Sequence, residues 1–298
     1  MHMTSFAYRR AITASMMLSL LGAALPTGAT RAQITLSKPD TAVTQHHKHL
    51  FNHRDLIIAG AMTATTFALF PVDKRIASEL QDSTTQANRF FKQSSKGLEV
   101  FASPGAFIIG GSMYLVGRLG NMPRVADLGW HGTEAVLIGD GITFILKGSL
   151  GRSRPFVSNG AIPRDFDLGR GFKDSEWQSF PSGHTTTAFA AAAAVTDETT
   201  IWWPRSTWVV GPVMYTGATL VGLSRMYHNK HWASDVALGA LIGTFSGKKV
   251  VLASHDNPNN FLDRILLGTH ASNGAEGTVK IGWVLPTDGT HSVGALRW

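Results

Sequence analysis

The chain is expected to be all-α, a helical bundle of about six core helices with a short C-terminal β-hairpin. Three observations carry this expectation. Apolar runs of helical length recur between residues 56 and 246. Polar or Gly- and Pro-bearing breaks separate them. In the tail the pattern changes to period two, with Val279, Ile281, Trp283 and Leu285 on one face.

Taken in order, Arg9 and Arg10 lead into an apolar run from Ala11 to Leu25, followed by Pro26 and small residues up to Ala32. A basic start, an apolar middle of this length and a small-residue exit describe a signal peptide over residues 1–32. Residues 33–55 form a polar leader carrying His46, His47, His49 and His53. The bundle is placed at residues 56–255 and the tail at 256–298. Within the bundle, 56–72 reads as an Ala-, Gly- and Thr-rich helix, and 73–96 as a polar segment with a partial apolar face at Ile76, Leu80, Phe90 and Phe91. Further helices are expected over 100–117, 132–150, 185–195, 206–223 and 232–246. The stretch from Gly151 to Phe180 is dense in Gly, Pro, Asp and Arg, and reads as a long loop of the kind that carries binding residues. In the tail, Pro286–Gly289 offers the turn between two strands.

Composition narrows the chemistry. The 298 residues contain no cysteine, which excludes disulfides, thiolate metal sites and thiol nucleophiles. The net charge of +7 comes without a dense basic stripe, so nucleic acid is not the expected partner and an anionic small molecule or an acidic membrane surface is. A membrane span needs about 20 mostly apolar residues, and only 56–72, 100–117 and 206–223 approach that length. With a mean hydropathy of +0.03, this favours a soluble or peripherally attached bundle.

Three stretches carry chemistry. Lys147 and Arg154, with Pro155 after them, stand where a helix runs into the long loop, so a point charge and a two-pronged donor can converge on one phosphate. Pro181–His184 precedes the alanine-rich helix, where Ser182 can cap the helix and Gly183 lets its first-turn N–H groups approach an anion. Ser224 and Arg225 lead to His231 and Asp235. On a helix the last two would share a face, so that the carboxylate holds one imidazole nitrogen and frees the other. Each stretch alone has an ordinary explanation: a helix-dipole partner, an N-cap and a surface pair.

Together, Lys-x6-Arg-Pro, Pro-Ser-Gly-His and Ser-Arg-x5-His-x3-Asp, in that order, resemble the three-part signature of the type 2 phosphatidic acid phosphatase superfamily, with every position filled. The resemblance covers Lys147 to Asp235 directly and implies an α-helical fold around it. It implies a phosphohydrolase needing neither metal nor cofactor and working through a phosphohistidine. His231 would be the nucleophile, Asp235 its orienting carboxylate and His184 the general acid. Lys147, Arg154 and Arg225 would hold the phosphoryl oxygens with Ser182 and the Gly183 N–H. The partner expected is a phosphorylated small molecule or lipid, with membrane-surface association, in the periplasm or cell envelope. The alternatives are a soluble periplasmic non-specific acid phosphatase and a catalytically inactive envelope interaction protein.

Overall fold

A computed structural model of the chain describes residues 51–258 and 260–268. The expected signal peptide, most of the polar leader and the expected C-terminal hairpin lie outside the described residues. Within them the protein is mostly helical, as expected. Ten α-helices replace the expected six: α1 (His53–Leu69), α2 (Asp73–Leu80), α3 (Ser83–Gln86), α4 (Arg89–Val100), α5 (Ala106–Leu119), α6 (Pro123–Leu150), α7 (Gly183–Trp202), α8 (Thr207–Tyr227), α9 (Ala233–Asp256) and α10 (Phe261–Leu266).

The additional helices come from segments that the sequence pattern joined. Residues 73–96 break into α2, α3 and α4, because the Asp82 side chain accepts from the Thr84 N–H and restarts the chain as a short helix. α1 begins three residues early because Asn52 and Asp55 form a reciprocal capping box. α6 starts at Pro123, nine residues before the expected boundary, with proline in the first turn where its missing N–H is no loss. Asp127 and His131, in the added turns, are buried inside the bundle.

α7 is the central helix and α9 packs most closely on it. Gly239, Gly243 and Gly247 recur every four residues and so form one stripe along α9. A Cβ added at Gly243 would stand 2.8 Å from the Ala190 nitrogen, and one at Gly247 would stand 2.6 Å from Ala193 Cβ. The two backbones are therefore in direct contact along alanines and glycines, and larger side chains on either helix would drive them apart. Ala190 and Ala194 join Ala135 and Val136 of α6 and Val250 and Val251 of α9 in the main core cluster.

The outer faces are apolar. Ile108 and Leu115 on α5, Phe144 and Ile145 on α6, and Trp208, Val209 and Val213 on α8 are all exposed, Trp208 by 86%. Large apolar side chains exposed on three long helices are not the surface of an ordinary water-soluble bundle. By length and composition, two helices among the described residues could cross a membrane: Lys92–Leu119, which takes in α5 and most of α4, and Ala233–Asp256. Counting the bent pair α1 and α2 as one span makes three. The expected candidate at 206–223 is not among them, whereas α9 is, because it runs ten residues past its expected end at Ser246.

Candidate active site

The C-terminal ends of α6 and α8 and the N-terminal ends of α7 and α9 meet at one end of the bundle, together with the loop from Gly151 to Pro181. This loop is irregular, as expected, with short 3-10 turns at Pro155–Ser158, Arg170–Phe172 and Ser175–Trp177. All the residues expected to act on phosphate are carried by these segments.

His231 precedes α9 by two residues, so it is not on the helix face that the spacing suggested. Its side chain is buried, and Nδ1 lies 2.7 Å from the carbonyl oxygen of Ser179. Asp235 Oδ2 is farther from the same nitrogen, at 3.5 Å. The hydrogen-bond acceptor nearest the ring is therefore a backbone carbonyl, with the expected Asp235 carboxylate beyond it on the same nitrogen. With Nδ1–H donated to Ser179, the lone pair is on Nε2. Burial, reinforced by the Lys147 charge, holds His231 well below the usual imidazole range despite Asp235, and so keeps it neutral.

Asp235 is fully buried and every oxygen is used. Oδ2 accepts from Ser179 Oγ at 2.5 Å and from the Trp232 N–H at 2.8 Å, the latter capping α9. Oδ1 accepts from Arg152 Nη1 at 2.5 Å. Arg152 is itself wholly buried and also donates to Asp73 Oδ2 at 2.8 Å, to Ser234 Oγ at 2.7 Å and to the Pro163 carbonyl. Its guanidinium lies over Phe70 at 4.6 Å from the ring centroid, with Phe166, Phe180 and Trp232 within 5.6 Å. Its backbone pairs with Phe166 and Gln178, which stitches the loop together. A planar, always-charged fork suits this position, since it joins two carboxylates while its faces stack on rings.

The residues expected to hold phosphate gather at the same end. Lys147, in the last turn of α6, donates to the Gln178 carbonyl at 2.7 Å. A Cβ added to Gly183 would be 3.6 Å from Lys147 Cε, so the lysine stem runs past the start of α7. Arg154 donates from Nε to Ser175 O at 3.0 Å. Both lie within range for their charges to act on His231. His184 is half-buried in the first turn of α7 and within range of the charges of Arg225, Glu99, Lys147 and Arg154. Ser182 is the N-cap residue by position, but its hydroxyl is 2.8 Å from Thr185 Oγ1 and makes no cap bond to the backbone. Its N–H donates to the Asp235 carbonyl at 3.0 Å, which ties the start of α7 to that of α9.

Arg225 is buried and forms a 2.5 Å ion pair with Glu99 of α4. Glu99 also lies 3.2 Å from His228 Nδ1, and His228 Nε2 is 2.9 Å from Ser95 Oγ. An anion arriving at Arg225 thus meets a carboxylate already there. Sequence reasoning singled out none of Asp73, Arg152, Ser179 and Glu99. The glycine before Arg152 and the Ser-Arg-Pro after it were the available signal, but nothing local marks which arginine turns inward.

The family expectation is met in comparison with known proteins: residues 129–258 match the model of the PAP2 superfamily. Among individual proteins, the chain is similar to a lipid A 1-phosphatase of Porphyromonas gingivalis, 47% identical over 72 residues. That match takes in 24% of this chain and 15% of the relative's length. Two solved structures are also similar. One is a transmembrane PAP2-type phosphatidylglycerolphosphate phosphatase from Bacillus subtilis, with TM-score 0.44 and 16% identity, covering 70% of this chain and 97% of that one. The other is LpxE of Aquifex aeolicus, with TM-score 0.41 and 21% identity, covering 60% and 92%.

Proposed function

We propose that the protein is a membrane-associated phosphatase that removes phosphate from a lipid or lipid-linked substrate through a phosphohistidine, without a catalytic metal. The observation that carries this reading is the geometry of His231: Nδ1 lies 2.7 Å from the Ser179 carbonyl, which leaves the lone pair on Nε2, and the ring is buried within range of Lys147 and Arg154. The exposed apolar faces of α5, α6 and α8 support a substrate that arrives from a membrane.

In this reading Nε2 of His231 attacks phosphorus and the bond to the leaving oxygen breaks. His184, its pKa held down to about 4 by burial and the Arg225 charge, takes up a proton as the anionic phosphate arrives and delivers it to that oxygen. Lys147, Arg154 and Arg225 balance the charge on the other phosphoryl oxygens, with Ser182 and the Gly183 N–H completing the cradle. Asp235 and the Ser179 carbonyl stabilise the charge that the ring acquires. In the second half-reaction a water attacks phosphorus, His184 takes its proton, and the P–N bond breaks to release inorganic phosphate and regenerate neutral His231.

Phosphate release by the purified chain in detergent, on a panel of lipid A, phosphatidic acid, phosphatidylglycerophosphate, polyprenyl diphosphate and a chromogenic monoester, tests the reading. Turnover of at least one lipid, abolished in His231→Ala, is the expected result. His184→Ala should impair the lipid far more than the chromogenic ester, whose leaving group needs little proton assistance. An active His231→Ala protein contradicts the chemistry, and activity on the monoester alone contradicts the lipid preference.

A further inference from the structure

We propose that the end of the bundle remote from His231 holds a structural divalent cation, zinc by its donor set, between His131 of α6, Glu198 of α7 and His255 of α9. One potential ligand atom from each residue lies within 4.8 Å of the others. His131 Nδ1 is 2.5 Å from Glu198 Oε1, and His255 Nε2 is 3.0 Å from the same oxygen. Glu198 lies fourteen residues beyond His184 on one helix, so about 21 Å separates the two sites along the axis. The cation would pin three helices together and take no part in phosphoryl transfer.

Hydrogen bonding alone leaves this cluster incomplete. Glu198 is wholly buried, yet its Oε2 has no hydrogen-bond partner among the described residues. The ion pairs of Glu198 among the described residues are with these two histidines only. If both rings carried protons to balance it, two imidazolium groups with centroids 5.6 Å apart would share one oxygen and Oε2 would remain unmet. A divalent cation held by both Glu198 oxygens, His131 Nδ1 and His255 Nε2 would take up the orphan oxygen, neutralise the carboxylate and accept the lone pairs of two neutral rings. Tetrahedral zinc places its ligands about 3.3 Å apart, so each histidine–Glu198 distance needs to lengthen by less than an ångström while the two histidine nitrogens, within 4.8 Å, settle to the same spacing.

The surroundings fit the same assignment. His131 Nε2 points its remaining valence toward Asp263 Oδ2 at 3.5 Å, the carboxylate partner that metal-bound histidines commonly have. Asp263 is fixed in turn by Trp130 Nε1 at 3.1 Å and by Asn260 Nδ2 at 2.6 Å. His255 is 14% exposed in its side chain, which gives the ion a way in from the end of α9. With no cysteine in the chain, nitrogen and oxygen donors of this kind are what a zinc site would have to use.

The test uses the full chain in detergent without an affinity tag, stripped by chelator and titrated with zinc chloride, with bound metal counted by mass spectrometry after gel filtration. About one zinc per chain, a raised melting temperature, and at least a tenfold loss of affinity in His255→Gln are expected. Cobalt(II) in place of zinc should give the visible d–d bands of a tetrahedral site, a readout that depends on no variant folding. Failure to retain zinc, binding undiminished in His255→Gln, or cobalt without those bands overturns the proposal. Undiminished binding would place the ion elsewhere, for example on the histidines before α1.

Discussion

Arg152→Met removes the guanidinium that joins Asp73 to Asp235 while keeping most of the side-chain volume. Both carboxylates are fully buried, and each loses its one arginine partner. Removing one member of a buried ion pair costs about 3–5 kcal/mol, because the remaining charge stays desolvated. For a bundle of this size each kcal/mol shifts the melting temperature by about 2–4 °C, so a fall of roughly 6–20 °C follows. Activity should fall as well. Asp235 would keep its Ser179 and Trp232 bonds but lose the tether on Oδ1, and a small displacement of His231 from the line of attack can cost about a hundredfold in kcat. The assay pairs thermal unfolding in detergent with kcat and KM on the best lipid substrate. A positioning role predicts that kcat falls while KM holds. Adding Asp73→Asn to Arg152→Met should recover part of the melting temperature, since one stranded charge is removed, without recovering kcat. A single variant that melts within 2 °C of the parent with unchanged kcat would refute the reasoning.

Three further outcomes can be checked with the same preparations. Glu99→Gln should lower the inhibition constant of orthophosphate, because the carboxylate paired with Arg225 no longer competes for it; weaker inhibition would contradict this. Gly243→Ala should lower the melting temperature, as the new methyl meets the Thr186 carbonyl and the Ala190 nitrogen, whereas Gly217→Ala, with nothing within 4 Å, should leave it unchanged or raise it. The depressed pKa of His231 means that protonation, which silences a nucleophile, sets in only at low pH, so the acid limb of kcat/KM attributable to it should fall well below 6.5; a limb at or above that value would contradict the burial argument.

What could be read in the sequence was what is local. The three motif stretches are each set by neighbours within a few residues, and α7 starts one residue after Ser182 as its capping position implies. α7 nevertheless runs on through Thr196–Thr200, where a polar cluster suggested an end. The hydroxyls of Thr196, Thr199 and Thr200 fold back on the carbonyls four residues earlier, and Glu198 is taken up by histidines 67 and 57 residues away. Arg152 was hidden for the same reason: its inward turn is decided by Asp73, 79 residues earlier, and Asp235, 83 residues later. The apolar outer faces were diluted in the mean hydropathy because the central helices are built of alanine and glycine and the loop is strongly polar. Average composition therefore pointed to a soluble bundle, while the placement of Trp208, Phe144 and Ile108 points to a membrane.

The role of His231 can be tested by trapping the intermediate. The purified chain, mixed with a labelled substrate and quenched in alkali within one turnover, should carry a phosphoryl group that survives base and is lost in acid. Peptide mapping and phosphorus NMR should place it on Nε2 of His231, and His231→Ala should carry none. Phosphoryl transfer to any other side chain, or to Nδ1 of His231, would contradict the account.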